Sequence, residues 1–325
     1  MNCKTTSGVV LMAAISMWRI SAYATMWLTP FQEAYQKGAE ARIEFRVLDD
    51  LGSPVQGASV NVFFDMANRS KARKVIVRTD TNGVCVAEEK TKGVLKIKVS
   101  CDGYYSSHDE ICFIEMGREH KVKGGRWQPW GMKKEMVLRP VRKPVANKPY
   151  FSSGKYTMDT GKWLGFDIET YDFVSPNGNG TIADFEVKFE WDGQRGKNFH
   201  GMDMIIRFVE PYAGAYYYDR TMTSDFRDAY SANTNEFYQK EFVFYSHPIR
   251  NSDGEIVKRD QKLFDMSKSL VVRSRCILNE DGTLNQARYS EIAELSFGCS
   301  SKGTWIMFQP IFNPTPNDTN LEPKR

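Results

Sequence analysis

The stretch from Arg42 to Tyr105 constrains the fold more than any other part of the chain. Ile43, Phe45 and Val47 alternate with Glu44, Arg46 and Leu48. A turn over Asp50–Ala58 leads to a second run, on which Ala58, Val60, Val62 and Phe64 share one face. Thr79–Gly83 is a tight turn before a third run. Leu95, Ile97, Val99 and Cys101 then alternate with polar residues and close on Asp102-Gly-Tyr-Tyr105. Successive side chains of a strand point to opposite faces, so alternation with period two, bounded by Gly, Pro and Asn-Gly, predicts half-buried strands. The expected product is a small β-sandwich.

Three boxes within this stretch carry a resemblance. They are Val47-x-Asp-x-x-Gly-x-Pro-Val-x-Gly-Ala-x-Val60 (with Asp49, Gly52, Pro54, Val55, Gly57 and Ala58), then Thr79-Asp-x-x-Gly83, then Val99-x-x-Asp-Gly-Tyr104. In this order the chain resembles the carboxypeptidase regulatory-like, or transthyretin-like, domain family. The resemblance implies a seven-stranded Greek-key sandwich over residues 42–140, an accessory piece of an exported protein. It implies no activity, since the family's boxes are structural: glycines at positive φ and a proline that fixes a turn.

The N-terminus predicts export. Lys4 and the α-amine precede an apolar run, Val9–Trp18, and Ala22-Tyr-Ala24 has a small-x-small cleavage pattern. The run is about ten residues, half of the ~20 that span a bilayer. Cleavage after Ala24 is expected, with no transmembrane segment left. Without residues 1–24 the net charge falls from +4 to +2 by loss of Lys4 and Arg19, too little to select a nucleic acid or any other partner. Five cysteines then remain, an odd number. Cys85 stands between Val84 and Val86; with those two facing the core, it points away. Cys101 with Cys112 and Cys276 with Cys299 are candidate disulfides, and small buried thiols are the alternative for each.

Residues 25–41 read as a lead-in with one helical turn. Residues 118–148 hold ten Lys/Arg against two Glu, with Trp127 and Trp130 inside the run Gly124–Gly131. Basic residues among flat rings can bind a glycan or an envelope polyanion, so Arg126, Trp127 and Trp130 are candidate ligand-binding residues. The competing reading is that the tryptophans pin a loop. Three prolines in Arg139–Pro149 give a semi-rigid linker at 141–149.

Residues 150–316 read as a second β-sandwich or jelly roll. Ala183, Phe185, Val187, Phe189 and Trp191 share a face, and Met202, Met204, Ile206 and Phe208 repeat it. Asn251–Gly254 and Asn279–Gly282 are hairpin turns. Ser224–Tyr230 reads as a helical turn, and residues 317–325 as a polar tail. Gly165-Phe-Asp-Ile168, the run Tyr171–Asp184, and Asn313–Glu322 resemble a set of uncharacterised exported bacterial proteins of this two-part layout, from which no function follows.

The search for chemistry gives mostly exclusions. The four histidines, His108, His120, His200 and His247, form no H-x-x-E or H-E-x-x-H pair, which removes a metallocarboxypeptidase. No G-x-S-x-G, P-loop or G-x-G-x-x-G occurs. Asp167, Asp172 and Asp184, with Asn177 and Asn179 around a glycine loop, are hard oxygen ligands that could hold Ca²⁺. Asp167, Glu169 and Asp184 are the carboxylates a glycan hydrolase would use. Arg273 and Arg275 alternate on one strand, and if buried they need carboxylates such as Glu291 or Glu294. The expectation is therefore an all-β, exported, non-catalytic binding or structural protein of the cell envelope. Carbohydrate is the favoured ligand class, by analogy of fold alone. A glycan hydrolase and a subunit of an envelope assembly are the alternatives.

Overall fold

The structure is a computed structural model that describes residues 29–64, 73–114, 122–148, 154–191, 201–300 and 302–324. The expected export signal, His120 and His200 lie outside the described residues. The chain is nearly all β, as the alternation predicts, and divides into two compact units between Leu138 and Arg139.

The first unit opens with helix α1 (Pro30–Lys37). Thr29 caps it, accepting from the Gln32 N–H while the Gln32 side chain accepts from the Thr29 N–H. One sheet is centred on β1 (Ala39–Asp49). It pairs antiparallel with β4 (Val84–Thr91) and parallel with β10 (Met132–Pro140). β6 (Tyr104–Tyr105), β8 (Val122–Lys123) and β9 (Arg126–Trp127) complete it. The other sheet is β3 (Arg73–Arg78), β2 (Ser59–Phe64), β5 (Val94–Ser100) and β7 (Ser107–Cys112), in that order. Ile43, Phe45 and Val47 meet Val60, Val62, Phe64, Leu95, Ile97 and Val99 in one core.

The first two sequence boxes turn out to be one knot. Val47 N–H donates to Gly83 O, Val55 N–H to Val47 O, and Thr79 Oγ to Val55 O. Ala58 N–H donates back to Thr79 Oγ at 2.9 Å. Gly83, at φ 72°, leaves no room for a side chain: a Cβ there would lie 2.4 Å from Val47 O. One parity reading is corrected. Cys85 is buried and faces the core, because β4 pairs Cys85 with the core residue Phe45, while Val84 and Val86 are only half-buried.

The second unit is a two-sheet sandwich. One sheet runs β11 (Lys155–Thr157), β21 (Gly303–Asn313), β20 (Leu284–Ser300), β19 (Lys268–Leu278), β16 (Gly214–Asp219). The facing sheet runs β13 (Asp172–Phe173), β12 (Leu164–Asp167), β14 (Phe185–Trp191), β15 (Met202–Arg207), β17 (Glu241–Arg250), β18 (Ile256–Lys262). Phe166, Phe185, Phe189, Met204 and Phe244 pack against Leu270, Val272, Ile292, Phe308 and Phe312 between them. Both predicted hairpin turns are present, with Gly254 and Gly282 at φ 81°.

The β19–β20–β21 sheet is covered on its other face as well. Val271, Ala287, Tyr289 and Ile311 lie under Ala146, Ala229, Ala232 and Leu321. Three sequence readings are thereby corrected. The segment expected as a semi-rigid linker at 141–149 is tied to the sandwich: Val145 and Ala146 N–H donate to Glu322 O, and Asn147 exchanges backbone bonds with Phe312. The tail is not loose: Leu321 is fully buried, and the Glu322 carboxylate accepts from Arg142 and Lys143 N–H at 2.9 and 2.6 Å. Ser224–Tyr230 forms no helix; it lies flat as part of this covering layer. Among the described residues no helix is long and apolar enough to cross a membrane.

Candidate functional site

In the first unit the two tryptophans separate. Trp127 is fully buried, stacks on Phe113 at 5.6 Å and donates its indole N–H to Thr91 O at 2.8 Å. It packs rather than offering a face to a ligand, and Gly93 is shaped around its ring. Trp130 is half-buried and carries the Arg126 guanidinium over its ring at 4.6 Å. The predicted pair of stacking platforms is therefore one ring, already occupied on one side by a cation.

In the second unit the candidate carboxylates do converge, around an arginine. Arg275 sits at φ 50° where the pairing of β19 and β20 slips between Ser274 and Ile277. A bulge of this kind breaks strand parity and re-aims a side chain. Arg273 keeps to the outer face, donating to Tyr212 O at 2.7 Å and lying 3.9 Å over Tyr238. Arg275 turns inward instead. Its Nε donates to Asp184 Oδ1 at 2.9 Å, Nη2 to Asp167 Oδ1 at 2.8 Å and to Asp184 Oδ2 at 3.1 Å, and Nη1 to Glu169 Oε2 at 2.7 Å. Ser274 Oγ adds a bond to Asp184 Oδ1 at 2.6 Å. The partners are thus not Glu291 or Glu294, as parity suggested.

Backbone donors hold the acids in place. Asp184 Oδ2 accepts from Ile168 N–H at 2.8 Å, and Asp167 Oδ2 accepts from Thr181 N–H at 3.0 Å. The Asp167 and Asp184 side chains are 1% and 0% exposed, whereas Glu169 is 46% exposed. Burial works to raise Asp167; the Thr181 and Thr170 N–H donors and Arg275 outweigh it and hold its carboxyl below the usual value. Burial dominates at Asp184 and leaves it raised, although Arg275 pulls the other way.

In the calcium reading Asp167, Asp172 and Asp184 share one ion. The guanidinium fills the centre between Asp167 and Asp184, the place a cation would take. Asp172 pairs across β12 and β13 with Asp167, but its carboxylate has other partners: it accepts from Asn179 N–H and side chain at 3.3 and 3.2 Å and stands 3.6 Å from Lys155 Nζ. The glycine loop is tight against the acids: a Cβ on Gly180 would lie 2.8 Å from Asp167 Cβ. Among the described residues no group of three His, Cys, Asp or Glu is arranged to hold a metal. Both buried acids of the hydrolase reading are tied to the same arginine.

The cysteine candidates stay apart. Cys112 pairs with Val94 at one end of β5, and Cys101 follows Ser100 at the other. Six strand residues separate those ends by roughly 20 Å, beyond the reach of a disulfide. All five described cysteines are free thiols. Burial raises Cys85 and Cys276 to about 11, which keeps both protonated and unreactive.

A second polar cluster escaped sequence reasoning. On the outer face of β20, Glu291 is fully buried and accepts from Ala229 N–H at 3.0 Å and from Ser269 Oγ. Beside it Arg220 Nε donates to Asp228 Oδ1 at 2.8 Å, and Arg139 Nη1 donates to Asp228 O at 2.7 Å. Burial first, then the Asp228 charge, raise Glu291 well above its ordinary value. No local motif marks these residues; they are brought together by the covering layer.

No family model matches the chain, and no curated protein does. Solved structures with some likeness include the 3-chlorocatechol 1,2-dioxygenase of Rhodococcus opacus 1CP, at 13% identity and TM-score 0.27, over 32% of this chain and 61% of that one. The chain thus spans less than two thirds of that enzyme. A point mutant of the shaft pilin SpaA of Lactobacillus rhamnosus GG is 7% identical over 88% and 95% of the two chains, with TM-score 0.24. BcpA, the major pilin subunit of Bacillus cereus, is 11% identical over 84% and 95%, also at 0.24. At these scores neither likeness assigns a fold family or a function.

Proposed function

We propose that this chain is an exported, non-catalytic binding or structural protein of the cell envelope, its first unit a member of the carboxypeptidase regulatory-like domain family. One observation carries the non-catalytic half: Arg275 engages Asp184, Asp167 and Glu169 together. A glycosidase needs one carboxyl free to give a proton and another free to attack or to activate water. Here the acids instead tie the strand β19 of one sheet to β12 and the Asp184 segment of the other. The chemistry of the cluster is spent on holding the sandwich closed. The export half rests on the apolar run Val9–Trp18 and the Ala22-Tyr-Ala24 pattern. A glycan ligand now has Trp130 and Arg126 as its support, without Trp127.

Two measurements test this reading. Residues 25–325 incubated with envelope glycans should release no new reducing ends, while Asp184→Asn lowers the melting temperature. Turnover by the wild type that Asp184→Asn abolishes would replace the proposal with a hydrolase. The full chain made in a bacterial host should reach the envelope with Thr25 as its first residue; an uncut chain retained in the cytoplasm removes the envelope assignment.

A further inference from the structure

The two sheets of the first unit carry outer faces of different kinds. On the β1 sheet the register sets opposite charges side by side: Glu40 against Lys90, Arg42 against Glu88, Glu44 against Lys133 and Arg46 against Glu135. Such pairs stabilise a sheet and cancel one another's field. The β3–β2–β5–β7 sheet has no such match. Val60, Val62, Leu95 and Ile97 turn inward to the core. By alternation Lys74, Arg78, Lys96 and Lys98 turn outward, and all four are exposed. Their neighbours across β2 are neutral: Ser59 beside Arg78, Phe63 between Lys74 and Lys96, Asn61 beside Lys98. Among the described residues of these four strands, Glu110 is the one carboxylate on this face; it stands opposite Lys96, 3.8 Å away. Arg78 donates to Gly57 O at 3.1 Å and Lys74 lies 5.5 Å from the Phe63 ring centre, contacts that leave both charges uncancelled. Four cations thus face one carboxylate, in a chain whose whole net charge is +4.

We infer that this face binds an anionic polysaccharide of the cell envelope, laid across the strands. Neighbouring strands lie about 4.8 Å apart and residues about 3.4 Å apart along a strand, so the four cations span about 10 Å by 14 Å. That spread suits carboxylates repeated along a chain better than one small anion. The same patch carries what a sugar needs besides charge. The half-buried Phe63 ring takes an apolar sugar face, and the Asn61 amide and Ser59 hydroxyl meet sugar hydroxyls. A second copy of the face is a poor occupant, because it would set lysine against lysine. This inference rests on the proposal that the chain is a binding protein of the envelope. It moves the glycan from Trp130 to this sheet and gives it a charge.

Calorimetric titration of residues 25–325 with polygalacturonate, and with its neutral methyl ester, tests this. Binding is expected for the acid alone, weakening by about fivefold or more between about 50 and 200 mM salt as ions screen the exposed lysines. The exposed double substitution Lys74→Glu/Lys98→Glu is expected to weaken binding by about tenfold or more. Lys258→Glu/Lys262→Glu, the same change of charge on exposed residues of the second unit, should leave it unchanged. Four results overturn the inference: no binding, equal binding of the ester, equal loss in the two double variants, or tighter binding to single-stranded DNA or phosphatidylglycerol vesicles. Loss in Arg126→Ala/Trp130→Ala, with Lys74→Glu/Lys98→Glu silent, would return the glycan to the Trp130 loop; that sinks this site and spares the proposed function. The glycan-release and export assays above test that function by themselves.

Discussion

The second unit buries two carboxylate clusters, and they are built on opposite terms. At Arg275 three acids share one cation, and the surplus negative charge is met by backbone N–H groups of residues 168–182. At Glu291 the cation has gone elsewhere: Arg220 pairs with Asp228, and Glu291 has a hydroxyl and an amide for company. The difference teaches that burial alone does not set how a carboxyl titrates. Asp167, facing a guanidinium and several N–H donors, is held below its ordinary value, whereas Asp184 on the same guanidinium is raised by its deeper burial, and Glu291 is raised by burial and a neighbouring carboxylate.

The largest effect should come from Arg275→Leu. It strands two buried acids without their cation, and breaking a buried ion pair costs about 3–5 kcal/mol. A thermal unfolding scan should show the second unit melting far earlier; an unchanged transition would mean the cluster holds nothing together. Next in size is Asp167→Asn, expected to cost about 1.5–3 kcal/mol near neutral pH, the worth of hydrogen bonds to charged groups. Asp167 is held below its ordinary value, so the stability it gives is present above that value and is lost as pH falls through its folded value. Urea midpoints between pH 5 and pH 2.5 should therefore fall less steeply in the variant than in the wild type.

Glu291→Gln sharpens the contrast by reversing the sign. The folded state raises Glu291, so its contribution is complete below the unfolded value and is lost as pH rises through the folded one. Glutamine keeps an acceptor for Ser269 and Ala229 but cannot ionise. Melting temperatures at pH 5 and pH 8 should converge in the variant, with the gain over wild type larger at pH 8. Equal pH slopes in the two proteins would erase the distinction between the clusters. The smallest effect belongs to Glu169→Gln, since a partly exposed ion pair is worth about 0–1 kcal/mol. A loss as large as that of Asp167→Asn would show that the rim of the cluster matters as much as its centre.

The first unit was legible because its signals are local. Alternation located β1, β2 and β5, and the three boxes marked the turns that tie them. Cys85 was misplaced for lack of one fact, the register of β4 on β1, which no residue of β4 encodes by itself. The second unit hid more. The strands carrying Met204, Leu270 and Ile292 were visible as apolar runs. The bulge at Arg275 was not, and it alone decides which carboxylates that arginine meets. Residues 141–149 and 317–325 read as linker and tail because the burial of Ala146 and Leu321 depends on a sheet face far away in sequence. Asp167 and Asp184 stood among the candidate acids, with Asp172 for calcium and with Glu169 for hydrolysis, and in the fold Arg275 lies between the two.

The covering layer has a consequence for how the molecule is made. Val145 and Ala146 wait for Glu322, and Lys155 to Thr157 wait for Thr304 to Ile306. The backbone partners of these opening segments are thus among the last residues of the second unit to be synthesised. Contacts across so long a stretch of chain form slowly. During translation the first unit can close early and the pairs from β14 to β18 can follow, while segments 145–147 and 155–157 dock only after residues 304–322 have emerged.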